Sequence, residues 1–139
     1  WEIDTVVLTR AKNKVLLTLT ERKSRLEIIR IIADKSSEAV NSELKVLTQN
    51  FQFKSITADN GTEFARLSEA VNCDIYYAHA YSSWERGTNE NHNRMIRRFL
   101  PKGTIKTTTK EVAQIEIWMN NYPRKMFNYS TPIQVYLGG

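Results

Sequence analysis

Three runs of β-branched and apolar residues stand almost back to back: 2–10 (EIDTVVLTR), 14–20 (KVLLTLT) and 25–32 (RLEIIRII). Only Ala11-Lys12-Asn13 and the polar Glu21-Arg22-Lys23-Ser24 separate them. Breaks this short cannot carry a crossover, so the runs read as an antiparallel meander. Val40, Leu44, Leu47 and Phe51 then recur at helical spacing after Ser36-Ser37, where a serine caps the helix start. Strands are predicted over 53–58 (FKSITA) and 73–78 (CDIYYA), with a short helix over 62–71 between them. Further helices are predicted over 84–99 and 109–121, the second with Val112, Ile115, Met119 and Tyr122 on one stripe. Strands joined through helices run parallel. The chain therefore reads as α/β: a five-stranded mixed sheet, three antiparallel strands and then two parallel ones, flanked by helices.

The 139 residues suit about one domain, 1–139, since no repeat, low-complexity tract or Pro/Gly/Ser linker divides them. With 41% apolar and 25% charged residues, the composition is that of a globular chain and not a disordered one. The longest apolar run is a few residues, far below the ~20 of a membrane helix. The single cysteine, Cys73, excludes an internal disulfide and reads as a small buried apolar residue. One cysteine and two histidines do not make a closed zinc site. The start at Trp1 rather than Met reads as the core of a longer protein. Charge is distributed unevenly. The net value is +5, and the stretch from His79 to Lys110 holds seven basic and two acidic residues, so it carries the whole excess. A solvated basic helix gives such a pattern, and so does a surface that meets phosphates.

Three acids stand out against this frame. Asp4 interrupts an apolar strand whose alternation sends Ile3, Thr5 and Val7 to one face and Asp4, Val6 and Leu8 to the other. A carboxylate among Val6 and Leu8 is costly unless a cation or a metal pairs with it. Asp59 ends the strand 53–58 and precedes Asn60-Gly61. Asp-Asn-Gly is a hairpin signal, but Thr62-Glu63-Phe64-Ala65-Arg66-Leu67 lacks strand alternation, which favours a strand-to-helix turn. Carboxyl ends of parallel strands are where α/β sheets place ligands. Glu90 shares one side of the helix 84–99 with Arg86, Asn93, Arg94 and Arg97, while Thr88, His92, Met95, Ile96, Phe99 and Leu100 take the core side. An i,i+4 pair with Arg94 accounts for Glu90 taken alone. Together, three carboxylates from separate elements beside a basic stretch fit another chemistry. Two Mg²⁺ ions about 4 Å apart, held by such oxygens, support in-line displacement at phosphorus.

Longer motifs point the same way. WEIDTV (1–6), LTERKSR (19–25), TADNGTEFA (57–65), YSSWERGTNENHNRMIRR (81–98), LPKGT (100–104) and NNYPRK…TPIQV (120–135) succeed one another in this order. With them, essentially the whole chain resembles the retroviral-integrase-like catalytic core of bacterial insertion-sequence transposases, the DDE group. The resemblance implies a ribonuclease-H-like fold, two divalent ions (Mg²⁺ or Mn²⁺) and DNA strand transfer. It implies Asp4, Asp59 and Glu90 as the catalytic, metal-holding triad. Thirty residues lie between Asp59 and Glu90, fewer than is usual in the family, so a shortened loop is expected before the helix. Glu90 rather than Glu85 takes the third position, because Glu85 precedes Gly87. Glu63 could be a further acid near the metals, but it matches no triad position.

Arg94 and Arg97 match basic positions that face DNA in retroviral relatives. With Arg86, Asn93, Arg98 and Lys102 they form the expected DNA-binding set. Tyr81 and Trp84 are placed either to stack on an unpaired base or to anchor their loop, and His79 and His92 read as structural. The implied partners are DNA, both transposon ends and target, and further copies of the chain in a homodimer or higher oligomer, with no membrane. The implied location is the bacterial cytoplasm, in association with the nucleoid. End recognition is expected from an N-terminal helix-turn-helix segment outside this sequence. Two other readings stay open: a catalytically silent DNA-binding or dimerisation remnant, and a nuclease of the same fold. The R-G-T-N-E-N and P-R-K segments favour the transposase.

Overall fold

The computed structural model of the protein describes residues 1–78 and 87–138, with 87–89 described by their backbone alone. Five strands, β1 (Glu2–Val7), β2 (Val15–Thr20), β3 (Glu27–Ile32), β4 (Ser55–Ala58) and β5 (Asp74–Tyr77), form one sheet in the order β3-β2-β1-β4-β5. β1, β2 and β3 pair antiparallel, whereas β4 pairs parallel with β1 and with β5. Among the described residues the α-helices are α1 (Ser37–Leu47), α2 (Gly87–Phe99), α3 (Thr109–Asn120) and α4 (Pro132–Gly138). The mixed sheet, three antiparallel strands followed by two parallel ones, is as the sequence reading expects.

β2 explains why helices cover both faces. Its sequence is VLLTLT, with Val15, Leu17 and Leu19 on one face and Leu16, Thr18 and Thr20 on the other, and all six residues are buried. Leu17 and Leu19 point into a core shared with Ile3, Ile28 and the α1 residues Val40, Leu44 and Leu47. Leu16 points the other way, into a core with Val6, Leu8 and Ile29 from the sheet, Ile96 and Leu100 from α2, and Val112, Ile115 and Met119 from α3. Ser36 starts α1 with its Oγ accepting the Ala39 N–H at 3.1 Å. α3 also reaches the outer edge of β3. Glu116 Oε1 accepts the Ile29 N–H at 2.8 Å, and Asn120 accepts the Glu27 N–H at 2.8 Å while donating to the Glu27 carbonyl at 2.9 Å. Among the described residues no helix is long and apolar enough to cross a membrane.

Several boundaries differ from the sequence reading, each for a local reason. β1 stops at Val7 rather than Arg10, because the N–H groups of Leu8 and Thr9 both turn to the Lys14 carbonyl and Asn13 takes a left-handed φ of 59°. β3 starts at Glu27 rather than Arg25, whose φ is 65°. The short helix expected over 62–71 is instead two 3₁₀ turns, Thr62–Phe64 and Leu67–Glu69. α2 occupies the described part of 84–99, since residues 84–86 lie outside the described residues. Tyr122 lies beyond the end of α3 and is half exposed, as is Phe99, whose ring instead meets Trp118 edge-on at 5.0 Å. α4 and a 3₁₀ turn over Lys125–Phe127 are additions. Ser36→Ala removes the α1 cap and is expected to lower stability by about 1 kcal/mol, read from urea denaturation.

Candidate active site

Alternation along β1 is as the sequence predicts. Ile3 and Val7 face α1, while Val6 and Leu8 face α2 and α3, and Asp4 shares their side. Asp4 is half-buried. Its Oδ1 accepts the Thr5 N–H at 2.9 Å, and its Oδ2 accepts a hydrogen bond from Asn93 Nδ2 at 3.0 Å. Charge-assisted bonds of this kind fix the plane of a carboxylate.

Asp59 comes directly after the last residue of β4. The parallel register pairs Glu2 with Thr57, so Asp59, two residues further along, follows β4 on the side where Asp4 lies two residues along β1. Asp59 Oδ1 accepts the Gly61 N–H at 2.8 Å, closing a strand-to-3₁₀ turn and not a hairpin. Gly61 has an ordinary φ of −63°, so space and not backbone freedom requires glycine there. A Cβ on Gly61 would lie 1.9 Å from Glu63 Oε1 and 2.9 Å from Asp59 Oδ1. Glu63 is buried, accepts from Thr5 Oγ1 at 3.2 Å and pairs with Lys35 Nζ at 3.3 Å. Thr5 lies on the face opposite Asp4. Glu63 therefore ties the Asp59 turn to β1 from beneath, a role the sequence reading did not assign.

Glu90 is exposed in the first turn of α2. It lies one turn before Asn93, and hence on the same side of the helix. Among the described residues, no three His, Cys, Asp or Glu side chains come close enough together to hold a metal. The structure thus sets Asp4 within β1 and Asp59 just past the end of the neighbouring β4, with Glu90 one turn from the residue that holds Asp4. It does not close the three into one cluster. The donor set is carboxylate oxygen throughout, which suits a hard divalent ion and not a soft one.

The cations divide into two kinds. Arg94, Arg98 and Lys102 are exposed. Arg97 is half-buried; one Nη donates to the Val7 carbonyl at 3.0 Å and the other is buried with no partner among the described residues. Asn93, expected at DNA, is half-buried and donates to Asp4. Arg86, His79, Tyr81, Trp84 and Glu85 lie outside the described residues. Gly103 N–H donates to the Leu8 carbonyl at 2.8 Å, which pins the Lys102 loop beside the β1–β2 hairpin. That hairpin carries Arg10, Lys12 and Lys14, and no ion pair among the described residues engages them. Three cations without an acid over 9–14 were the available signal, hidden when charge was summed outside 79–110. Cys73 is half-buried against the α1-side core, and burial pushes its thiol up.

The fold is that of a retroviral-integrase-like, ribonuclease-H-like core. It superposes on the crystal structure of the catalytic core domain of BIV integrase with a TM-score of 0.76, covering 99% of this chain and 93% of that one at 20% identity. No protein-family model matches the chain. It is 39% identical over 142 residues to the probable transposase for insertion-like sequence element IS1161 of Streptococcus salivarius, a match covering 98% of this chain and 41% of that protein. It is 38% identical over 143 residues to the transposase InsI for insertion sequence element IS30C of Escherichia coli K12, covering 97% and 37% respectively. The chain spans about two-fifths of the length of the relatives it matches. Its fold is that of an integrase core, and over nearly its whole length its sequence is similar to one part of insertion-sequence transposases.

Gly61→Ala is expected to cost about 1–3 kcal/mol by overpacking against Glu63. The same change in a Glu63→Ala background costs at least ~0.5 kcal/mol less, a coupling that a double-mutant cycle in urea measures.

Proposed function

We propose that the chain catalyses phosphodiester hydrolysis at the ends of a mobile DNA element and the transfer of the freed 3′-hydroxyl into target DNA. The observation that carries this reading is Asp4 within β1, with Asp59 just past the end of the parallel strand β4 beside it and α2 bonded to Asp4 through Asn93. The likeness to transposases supports it. Asp4, Asp59 and Glu90 would hold two divalent ions, Mg²⁺ or Mn²⁺, which when bound activate the attacking oxygen and stabilise the leaving one. No side chain is needed as a nucleophile. Asn93 orients the Asp4 carboxylate, and the Asp-Asn-Gly turn orients that of Asp59.

Arg94, Arg98 and Lys102 bind DNA phosphates, with Arg86 and the Val7-bonded Arg97 beside them. The hairpin cations Arg10, Lys12 and Lys14 extend this surface past the Lys102 loop. On paired DNA ends the working form is a homodimer or a higher oligomer, acting in the cytoplasm where the DNA lies.

The test is Mn²⁺-dependent cleavage and rejoining of branched DNA by wild type and Asp59→Asn. Wild type is expected to cleave and rejoin, and the mutant to lose at least ~100-fold, beyond what loss of an outer metal partner costs. Equal activity in both would overturn the triad, and a strong preference for RNA–DNA hybrid would make the chain a ribonuclease-H-like nuclease instead. Neutralising Lys102 or Lys12 should weaken DNA binding for all sequences alike. Each change should flatten the slope of log affinity against log salt by about 1, measured by fluorescence anisotropy.

A further inference from the structure

On the α2 side of the sheet, one row of paired residues is polar from end to end. Glu2 of β1 faces Thr20 of β2, which faces Glu27 of β3, and all three are buried. Two carboxylates beneath a helix are costly unless something answers their charge. Arg22 Nε lies 3.3 Å from Glu2 Oε1. Glu27 Oε1 accepts from Thr20 Oγ1 and lies 3.2 Å from His92 Nδ1, poorly aligned for a hydrogen bond. The other ring nitrogen of His92, Nε2, lies 3.3 Å from Arg124 Nη1. A guanidinium only donates, so Nε2 carries the lone pair and Nδ1 carries the hydrogen that faces Glu27. Burial pushes the Glu27 carboxyl up, and His92 works against that shift. The three side chains make a relay in which Arg124 meets the buried acid through the His92 ring.

Both ends of the relay are anchored. Asn120 brackets the first residue of β3 with its two hydrogen bonds to the Glu27 backbone. Arg124 is held by its own backbone, whose N–H donates to the Ser130 carbonyl at 3.0 Å and whose carbonyl accepts from Tyr129 at 2.9 Å. Asn120 and Arg124 both belong to the N-N-Y-P-R-K segment, which the proposed chemistry leaves without a task.

The geometry of α2 gives it one. Asn93 and Arg97 are four residues apart on one side of the helix, and both bond to β1, at Asp4 and Val7. Burial of Ile96 holds the far end of α2, and two anchors along one strand leave its near end to rock about that line. His92 sits about 100° around the helix from Asn93 and reaches across to β3, which stops the rocking. We propose that Arg124 is a positioning residue: acting through His92, it sets the roll of α2 and so places Asn93 and Glu90 against Asp4. This rests on the catalytic reading of Glu90.

The test compares Arg124→Met and Arg124→Lys with wild type, by hydrogen exchange over residues 87–99 and by calorimetric titration with Mn²⁺. Arg124→Met is expected to speed exchange in α2 about 10-fold while the β1–β3 amides stay protected, because the loss is local. It should weaken Mn²⁺ binding several-fold, and lower kcat on branched DNA about 10-fold with KM unchanged. Arg124→Lys, which keeps a charged donor, should restore most of each. If Arg124→Met does not fold, Arg124→Gln, which keeps a neutral donor, carries the same comparison. Unchanged α2 exchange and Mn²⁺ affinity would overturn the proposal. So would faster exchange across the whole sheet, which marks general stability, or a raised KM with a flatter salt slope, which marks a DNA contact. Exchange needs no metal, so absence of Mn²⁺ binding in wild type would overturn the two-ion reading and leave the clamp to be judged by exchange alone.

Discussion

Asp4 is an ionisable side chain on a strand flanked on both edges and covered on both faces. A carboxylate in such a place calls for partners beyond its own strand, where the Thr5 N–H meets it. The rest of the molecule is organised around that requirement. The parallel strand beside β1 carries a second acid just past its end, and the helix laid across β1 brings an amide to bond the first. From the opposite face a third carboxylate, Glu63, holds the turn that carries Asp59. Asp4, Asp59 and Glu63 have distinct surroundings although they sit within a few residues of one another in space, and the alternation of β1 separates their tasks.

The same face of the sheet grades in polarity along its strands. The row Val6, Leu16, Ile31 is hydrocarbon; the row Asp4, Thr18, Ile29 is mixed; the row Glu2, Thr20, Glu27 is wholly polar. α2 runs over this gradient and changes with it, from Leu100 and Ile96 in the apolar core to His92 above the acids. Its apolar end is held by burial and its polar end by hydrogen bonds.

Much of this was legible in the sequence, and the reasons are physical. The antiparallel meander came from three apolar runs with breaks too short for a crossover. The α1 start came from Ser36, and the face of Asp4 from strict alternation. Asp59-Asn60-Gly61 was readable as a strand-to-turn junction because residues 62–67 lack strand period. Other features depend on register, which local sequence does not encode. Nothing near Glu27 says that it pairs through Thr20 with Glu2, nor that Asn120, 93 residues away, closes on its backbone. His92 read as structural without its partners, and the bond from Asn93 to Asp4 stayed unseen, because the strands they meet are far off in the chain. The place of Asp59 relative to Asp4 likewise needed the β1–β4 pairing.

The way α3 meets β3 has a consequence for solubility. β3 is an outer strand of apolar sequence, EIIRII, and such an edge is a template for adding strands from other molecules. The outward N–H groups of Glu27 and Ile29 are already taken by the Asn120 and Glu116 side chains of α3. A foreign strand would have to displace both acceptors, one of them a carboxylate also bonded to Arg30 at 2.7 Å. The helix thus closes to intermolecular β-pairing an edge whose composition invites aggregation, and it does so with side chains that leave the strand itself free to stay hydrophobic.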